Sequence, residues 1–173
     1  MPQNSSRLDI LADGIFSIVM TILVFEIKVP EILNPTNQAI FDLLKNSYPL
    51  FLSYILSFAV LFTYWRCYHS IVSDFAKTSD VNFQNLAAAF LLFVALIPFS
   101  SHLLGVYSST SASVIIFSAN VILIGVLLFF MRLYAWKSRT IKNKQITKVE
   151  QVHSYTPLFL IYLKKVPGLF VGF

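Results

Sequence analysis

Four long apolar runs, at about 8–29, 48–68, 83–105 and 113–136, set the strongest limit on what this chain can fold into. Each approaches the roughly 20 residues a helix needs to cross the hydrocarbon core of a bilayer. In lipid a helix also satisfies its backbone hydrogen bonds within itself. The runs therefore predict four membrane helices and an all-α, polytopic membrane protein. Composition agrees: 57% of the 173 residues are hydrophobic and 12% are charged, whereas an ordinary globular chain carries about 25% charged residues. A soluble domain is excluded on that ground. A soluble nucleic-acid binder is excluded with it, because the thirteen Lys and Arg behind the net charge of +5 are spread thinly except in one short run.

A fifth run, 155–173, is apolar at both ends but holds Lys164 and Lys165 in its middle, where each charge costs roughly 2.5–3.5 kcal/mol on insertion scales. It counts as an uncertain fifth helix, and residues 1–173 are treated as one membrane domain. The first run is preceded by Arg7 alone, contains Asp13 and ends in Lys28-Val29-Pro30. A cleaved signal peptide has a basic start and a small-residue cleavage site instead.

Basic loops stay on the cytoplasmic side. With the N-terminus inside, the inner segments hold nine basic residues (Arg7, Arg66, Lys77, Arg132, Lys137, Arg139, Lys142, Lys144 and Lys148), and the outer ones hold two, Lys28 and Lys45. The expected location is the cell membrane with a cytoplasmic N-terminus. The basic run over 137–148 then reads as a juxtamembrane patch for anionic lipid headgroups rather than for nucleic acid. Asp80-Val81-Asn82 reads as a helix start, and Asn34 to Asn37 and Ser108 to Ser113 read as turns. Pro98 kinks or ends the third run, a simple terminus being the plainer reading.

The single cysteine, Cys67, forms no internal disulfide, and His69, His102 and His153 lie too far apart to suggest a metal cluster. There is no Gly-rich phosphate loop, no His-Glu-x-x-His and no close set of Ser, His and Asp. No enzyme activity, metal or cofactor is expected.

The first run is the most informative. Asp13, Ser17 and Thr21 recur at i, i+4 and i+8 and form one polar stripe along a helix. Such a stripe should face protein or water, although Asp13 alone also suits an interfacial position. One residue further round, Ile18, Ile22 and Phe25 make a narrow apolar seam at i, i+4 and i+7. By itself that seam is equally a mark of lipid contact or helix packing.

The stretch Arg7 to Pro30 resembles the first-helix signature of the transmembrane protein 175 family, the potassium channels of lysosomes and their single-repeat bacterial relatives. The signature has an arginine, three free positions, Phe-Ser-Asp, a small residue, an apolar stretch with a central Thr, and an acidic residue leading into Lys-Val-Pro. Arg7, Asp13, Gly14, Thr21, Glu26, Lys28, Val29 and Pro30 match it, while Leu11 and Ala12 stand where the family has Phe and Ser. The resemblance continues through Phe51-Leu52-Ser53-Tyr54, Tyr64-Trp65 with His69, Asn85, Leu92 to Phe99, and Leu103-Leu104-Gly105. It covers about residues 7–136.

The resemblance implies a homotetramer in the membrane, with a potassium-selective pore lined by the first helix of each subunit. It also implies six helices per single-repeat subunit, of which this chain offers about five. Ile18, Ile22 and Phe25 fall at the implied constriction, where a ring of isoleucines closes a pore by excluding water. Thr21 matches the position linked to preferring potassium. Arg7 and Asp13 are implied to join Trp65, His69 and Asn85 in a buried polar network that fixes the angle of the pore helix. His69 is equally readable as a snorkelling interfacial residue, and Trp65 as part of an aromatic belt. Glu26 falls at the outer mouth, where it concentrates cations or pairs with Lys28 or another neighbour. The Thr-Val-Gly-Tyr-Gly carbonyl filter is absent from the sequence, so selectivity would rest on the neck itself. Two rivals stand beside this reading. One is a proton-coupled or other secondary transporter, since a membrane carboxylate and a histidine can relay protons, though internal repeats are lacking. The other is a shortened, non-conducting family member.

Overall fold

The computed structural model describes residues 3–4, 6–28, 36–72 and 78–137. The uncertain helix at 155–173 lies outside them. Helix α1 spans Ser6–Ile22 and tightens into a 3-10 turn at Leu23–Glu26. It is followed by α2 (Asn37–Asn46), α3 (Tyr48–Ser70), α4 (Val81–Ala95), α5 (Ile97–Val106) and α6 (Ser111–Lys137). Two-residue strands β1 (Gln3–Asn4) and β2 (Thr78–Ser79) pair antiparallel, with Gln3 opposite Ser79. Everything else described is helical or a turn. Four stretches are long and apolar enough to cross a membrane: Arg7–Glu26, Tyr48–Ser70, Val81–Val106 and Ser111–Lys137. The face where α1 begins is called the near face below, and the face where it ends, the far face.

Three details differ from the sequence expectation. The first helix loses α geometry after Ile22 instead of running to residue 29. Pro30 disfavours the α region for Val29, so the helix must wind down before it, and a 3-10 turn is a common way to do so. The third run is broken rather than ended by Pro98. The chain turns at Leu96 and resumes as α5, with the proline in its first turn, where a missing N–H costs no helical bond. The far-face connection, expected as turns, contains α2, whose start is capped by Thr36 Oγ1 accepting from Ala39 N at 3.2 Å.

Packing differs between the two halves of the membrane. In the near half the core is aromatic. Phe16 of α1 meets Phe90 of α4 at 6.0 Å between ring centroids, and Phe90 stacks on Tyr68 of α3 at 5.5 Å and 5°. Leu128, Met131 and Ala135 of α6 are buried in the same core. Asp80 ties the start of α4 to the end of α6: its Oδ1 accepts from Phe83 N at 2.9 Å, and its Oδ2 accepts from the Tyr134 hydroxyl at 2.7 Å.

In the far half small and hydroxylic residues let helices approach closely, as is usual where lipid supplies no hydrophobic drive between helices. Ser57 Oγ donates to Ser101 Oγ at 2.8 Å, Ser101 Oγ to the Ser53 carbonyl at 3.3 Å, and Asn120 Nδ2 to Ser100 Oγ at 3.2 Å. These bonds join α3, α5 and α6. Gly105 lies at the tightest crossing: a Cβ there would stand 2.6 Å from Ser53 Oγ and 2.7 Å from Leu50 Cδ2. Gly125 leaves room for the Tyr64 hydroxyl, which donates to the Val121 carbonyl at 2.8 Å. Replacing Gly105 by Ala is expected to overpack α3 against α5 at a cost of about 1–3 kcal/mol. It should be read as a lowered melting temperature in detergent, with Gly125→Ala milder because its nearest neighbour, at 3.1 Å, is the tip of a side chain.

Candidate functional site

Helix α1 has two unlike sides. Ala12, Phe16, Val19 and Leu23, at i, i+4, i+7 and i+11, are buried against the rest of the chain. The opposite side is uncovered: Ile18 is 58% exposed, Ile22 41% and Phe25 74%. Ser17 and Thr21 of the polar stripe are exposed beside them. Thr21 Oγ1 donates to the carbonyls of Ser17 (3.0 Å) and Ile18 (2.8 Å). Its one proton is thus spent within the helix, and its lone pairs remain for a group outside the chain. Gly14 lies on the same side, where a Cβ would meet nothing within 4 Å. Ile18 and Ile22 border an open groove of about 490 Å³, whose far wall is formed by Ala95, Pro98, Phe99 and His102. Phe25 does not line it.

On the near face, α1 and α3 are joined by two rungs one helical turn apart. Trp65 Nε1 donates to Asp13 Oδ1 at 2.7 Å. His69 Nδ1 stands 3.7 Å from Asp9 Oδ1, at ion-pair rather than hydrogen-bond distance. The rings of Trp65 and His69 stack at 6.0 Å and 24°, which locks the two rungs together. The sequence reading placed Asp13, Trp65 and His69 together, and the structure does bring them together. It differs in the rest of that set. Arg7 and Asn85 are exposed, and neither makes a hydrogen bond or ion pair among the described residues. The cluster is also not buried within one chain, since Asp13 and His69 are themselves exposed. Asp9 stands outside the set that the sequence suggests. The available signal was spacing: Asp9 and Asp13 on one helix and Trp65 and His69 on the other are both four apart, so opposed turns can match.

On the far face, Glu26 pairs with His102 of α5, Oε2 to Nδ1 at 3.0 Å, instead of with Lys28. The pair ties the last turn of α1 to the segment beyond the Pro98 break. No local spacing could have exposed it, because the partners are brought together by the kink. No group of three or more His, Cys, Asp or Glu side chains is placed to hold a metal among the described residues.

A nearly all-helical membrane fold with one span presenting a polar-and-isoleucine face outward is the architecture these residues define. The family described as endosomal/lysosomal potassium channel TMEM175 matches residues 7–98, more than half of the chain. The chain belongs to the TMEM175 family and is a multi-pass membrane protein. It is similar to a potassium channel of Chamaesiphon minutus, 33% identical over 104 residues that make up 60% of this chain and 51% of that one. It is also similar to a potassium channel of Streptomyces collinus, 30% identical over 105 residues, 60% of this chain and 49% of that one. It thus spans about half the length of the curated relatives it matches. Its fold is like the crystal structure of a lysosomal potassium-selective channel TMEM175 homolog from Chamaesiphon minutus. The TM-score is 0.69, with 22% identity over 92% of this chain and 85% of that chain.

The Asp13–Trp65 rung makes a measurable prediction. Asp13→Ala and Trp65→Phe should each cost about 0.5–1.5 kcal/mol. The double variant should cost little more than either alone, because the two side chains share one bond. Melting temperatures of the four proteins in detergent give the comparison, and full additivity would show that the bond contributes nothing.

Proposed function

We propose that the chain is a subunit of a potassium-selective channel in which four copies surround a pore lined by α1. One observation carries the reading: a membrane-spanning helix leaves uncovered a face that combines Ser17 and Thr21 with Ile18 and Ile22. Hydroxyls at that depth are better served by water or by a second copy than by hydrocarbon. Membership of the TMEM175 family, and relatives described as potassium channels, support the choice of ion.

Four such faces around an axis place rings of isoleucine at the levels of residues 18 and 22, with Phe25 toward the far rim. Those rings form a dry neck, which a hydrated ion cannot pass without losing water that nothing replaces. Wetting of that neck is the gate. Thr21 turns oxygen lone pairs toward the axis because its proton is already given to its own helix, an arrangement that suits cations. Glu26, held by His102, adds a carboxylate that draws cations to the far mouth. Arg7 and Asn85, exposed in one chain, fall where neighbouring subunits and lipid can meet them. The excess of basic residues on the near side orients the N-terminus toward the cytoplasm.

Ion flux from liposomes holding the purified chain is the direct test. A potassium gradient should drive flux well above both an equal sodium gradient and empty liposomes. Equal, negligible flux for both ions overturns the channel reading. Ile18→Asn and Ile22→Asn should wet the neck and raise leak several-fold, and unchanged conductance in both removes these residues from the gate. Thr21→Val should lower the ratio of potassium to sodium flux while leaving a conducting pore.

A further inference from the structure

We propose that α2 is seated in the membrane surface: its apolar side lies in the headgroup and upper acyl region of the far-face leaflet, with phospholipid as its partner. This rests on the four membrane spans and not on ion conduction. No residue of α2 is buried within the chain, yet the helix is well closed. Thr36 caps its start, and the Ser47 hydroxyl donates to the Leu43 carbonyl at 2.8 Å at its end.

Beyond its first residue, Asn37, its side chains are sorted by face. Ile40, Phe41 and Leu44, 47%, 69% and 47% exposed, share one arc of the helix, and Gln38, Asp42, Lys45 and Asn46 share the other. A helix so divided lies in a lipid interface with its apolar arc down.

Three features of the molecule indicate that lipid, rather than protein, covers that arc. The row of exposed apolar residues runs on through the Ser47 joint into membrane-spanning α3 as Tyr48, Leu52 and Ile55, which are 63%, 59% and 60% exposed. The exposed apolar surface of membrane-spanning α3 and the bare side of α2 are thus continuous along the chain. Lys45 and Tyr48 flank the joint, and tyrosine belts with snorkelling lysines mark the boundary between hydrocarbon and water. The side of α2 that carries Ala39, Asp42 and Asn46 is already engaged, walling a cleft of about 940 Å³ that also holds Glu26 and His102. Asp42 and Lys45 cancel in charge, so the seat depends on apolar contact and needs no anionic lipid.

Cysteines placed at Phe41, Asp42, Leu44 and Lys45 of the full chain, one per variant, and labelled with an environment-sensitive dye test the proposal in phosphatidylcholine vesicles. The parent chain, whose lone Cys67 is buried, serves as the labelling blank. Dyes at 41 and 44 should be blue-shifted, shielded from aqueous iodide and quenched several-fold more by lipid brominated near the top of its acyl chains than dyes at 42 and 45. Equal iodide access at all four positions would place α2 in water and overturn the proposal. Shielding at 41 and 44 without bromolipid quenching would mean that protein covers the helix, and would overturn it equally. Because all four sites share one helix and all are exposed or lie on its surface, a general folding defect cannot produce the alternating pattern.

Discussion

The ring of Phe16 meets Phe90 of α4, which lies flat against Tyr68 of α3, so one aromatic stack ties three of the four spans together. Among lipid tails no hydrophobic gain draws helices to one another, and close contact has to do that work. Aromatic pairs suit the task, adding about 0.5–1.5 kcal/mol each beyond the area they cover. The stack also fixes the rotation of α1. With Phe16 pointing in, Ser17, Ile18, Thr21 and Ile22 are turned out, and the face on which the functional reading rests is set by a contact on its reverse side. The Asp13–Trp65 and Asp9–His69 rungs guard the same rotation by a different chemistry.

The two halves of the membrane are held by different means. Near the chain's start, bulk and ring stacking prevail, and Asp80 joins the ends of α4 and α6. Toward the far face, the hydroxyls of Ser57 and Ser101, the Ser53 carbonyl and the absence of a side chain at Gly105 bring α3 and α5 together. Ser100 gives its own proton to the Ile97 carbonyl at 3.1 Å and accepts from Asn120, so its hydroxyl is engaged on both sides.

The spans were legible because length and apolarity are local properties, and so was the Asp80 cap, which needs only its own helix start. The face of α1 was legible as periodicity, although which side would be buried was not: a membrane helix is apolar nearly all round, and only the position of Phe90 and Tyr68 decides. Helix α2 escaped because ten residues with Asn, Gln, Asp and Lys among them look like any polar loop, and the sorting by face emerges only once the helix is granted. Pro98 could not be assigned from sequence because ending a helix and kinking it make the same local demand. The Glu26–His102 pair joins residues far apart in the chain, and nothing near either one announces the other.

The turn at Leu96 divides one membrane crossing into two rods that hold α1 at two levels, its middle and its far end. The lower rod, α4, grips it through Phe90, and the upper rod, α5, grips it through His102 and Glu26. A straight helix would move both grips at once. Here the backbone has a joint between them, since the helical ladder is already interrupted at the proline. The far end of α1 and the packing around Phe16 therefore answer to different segments of the same crossing.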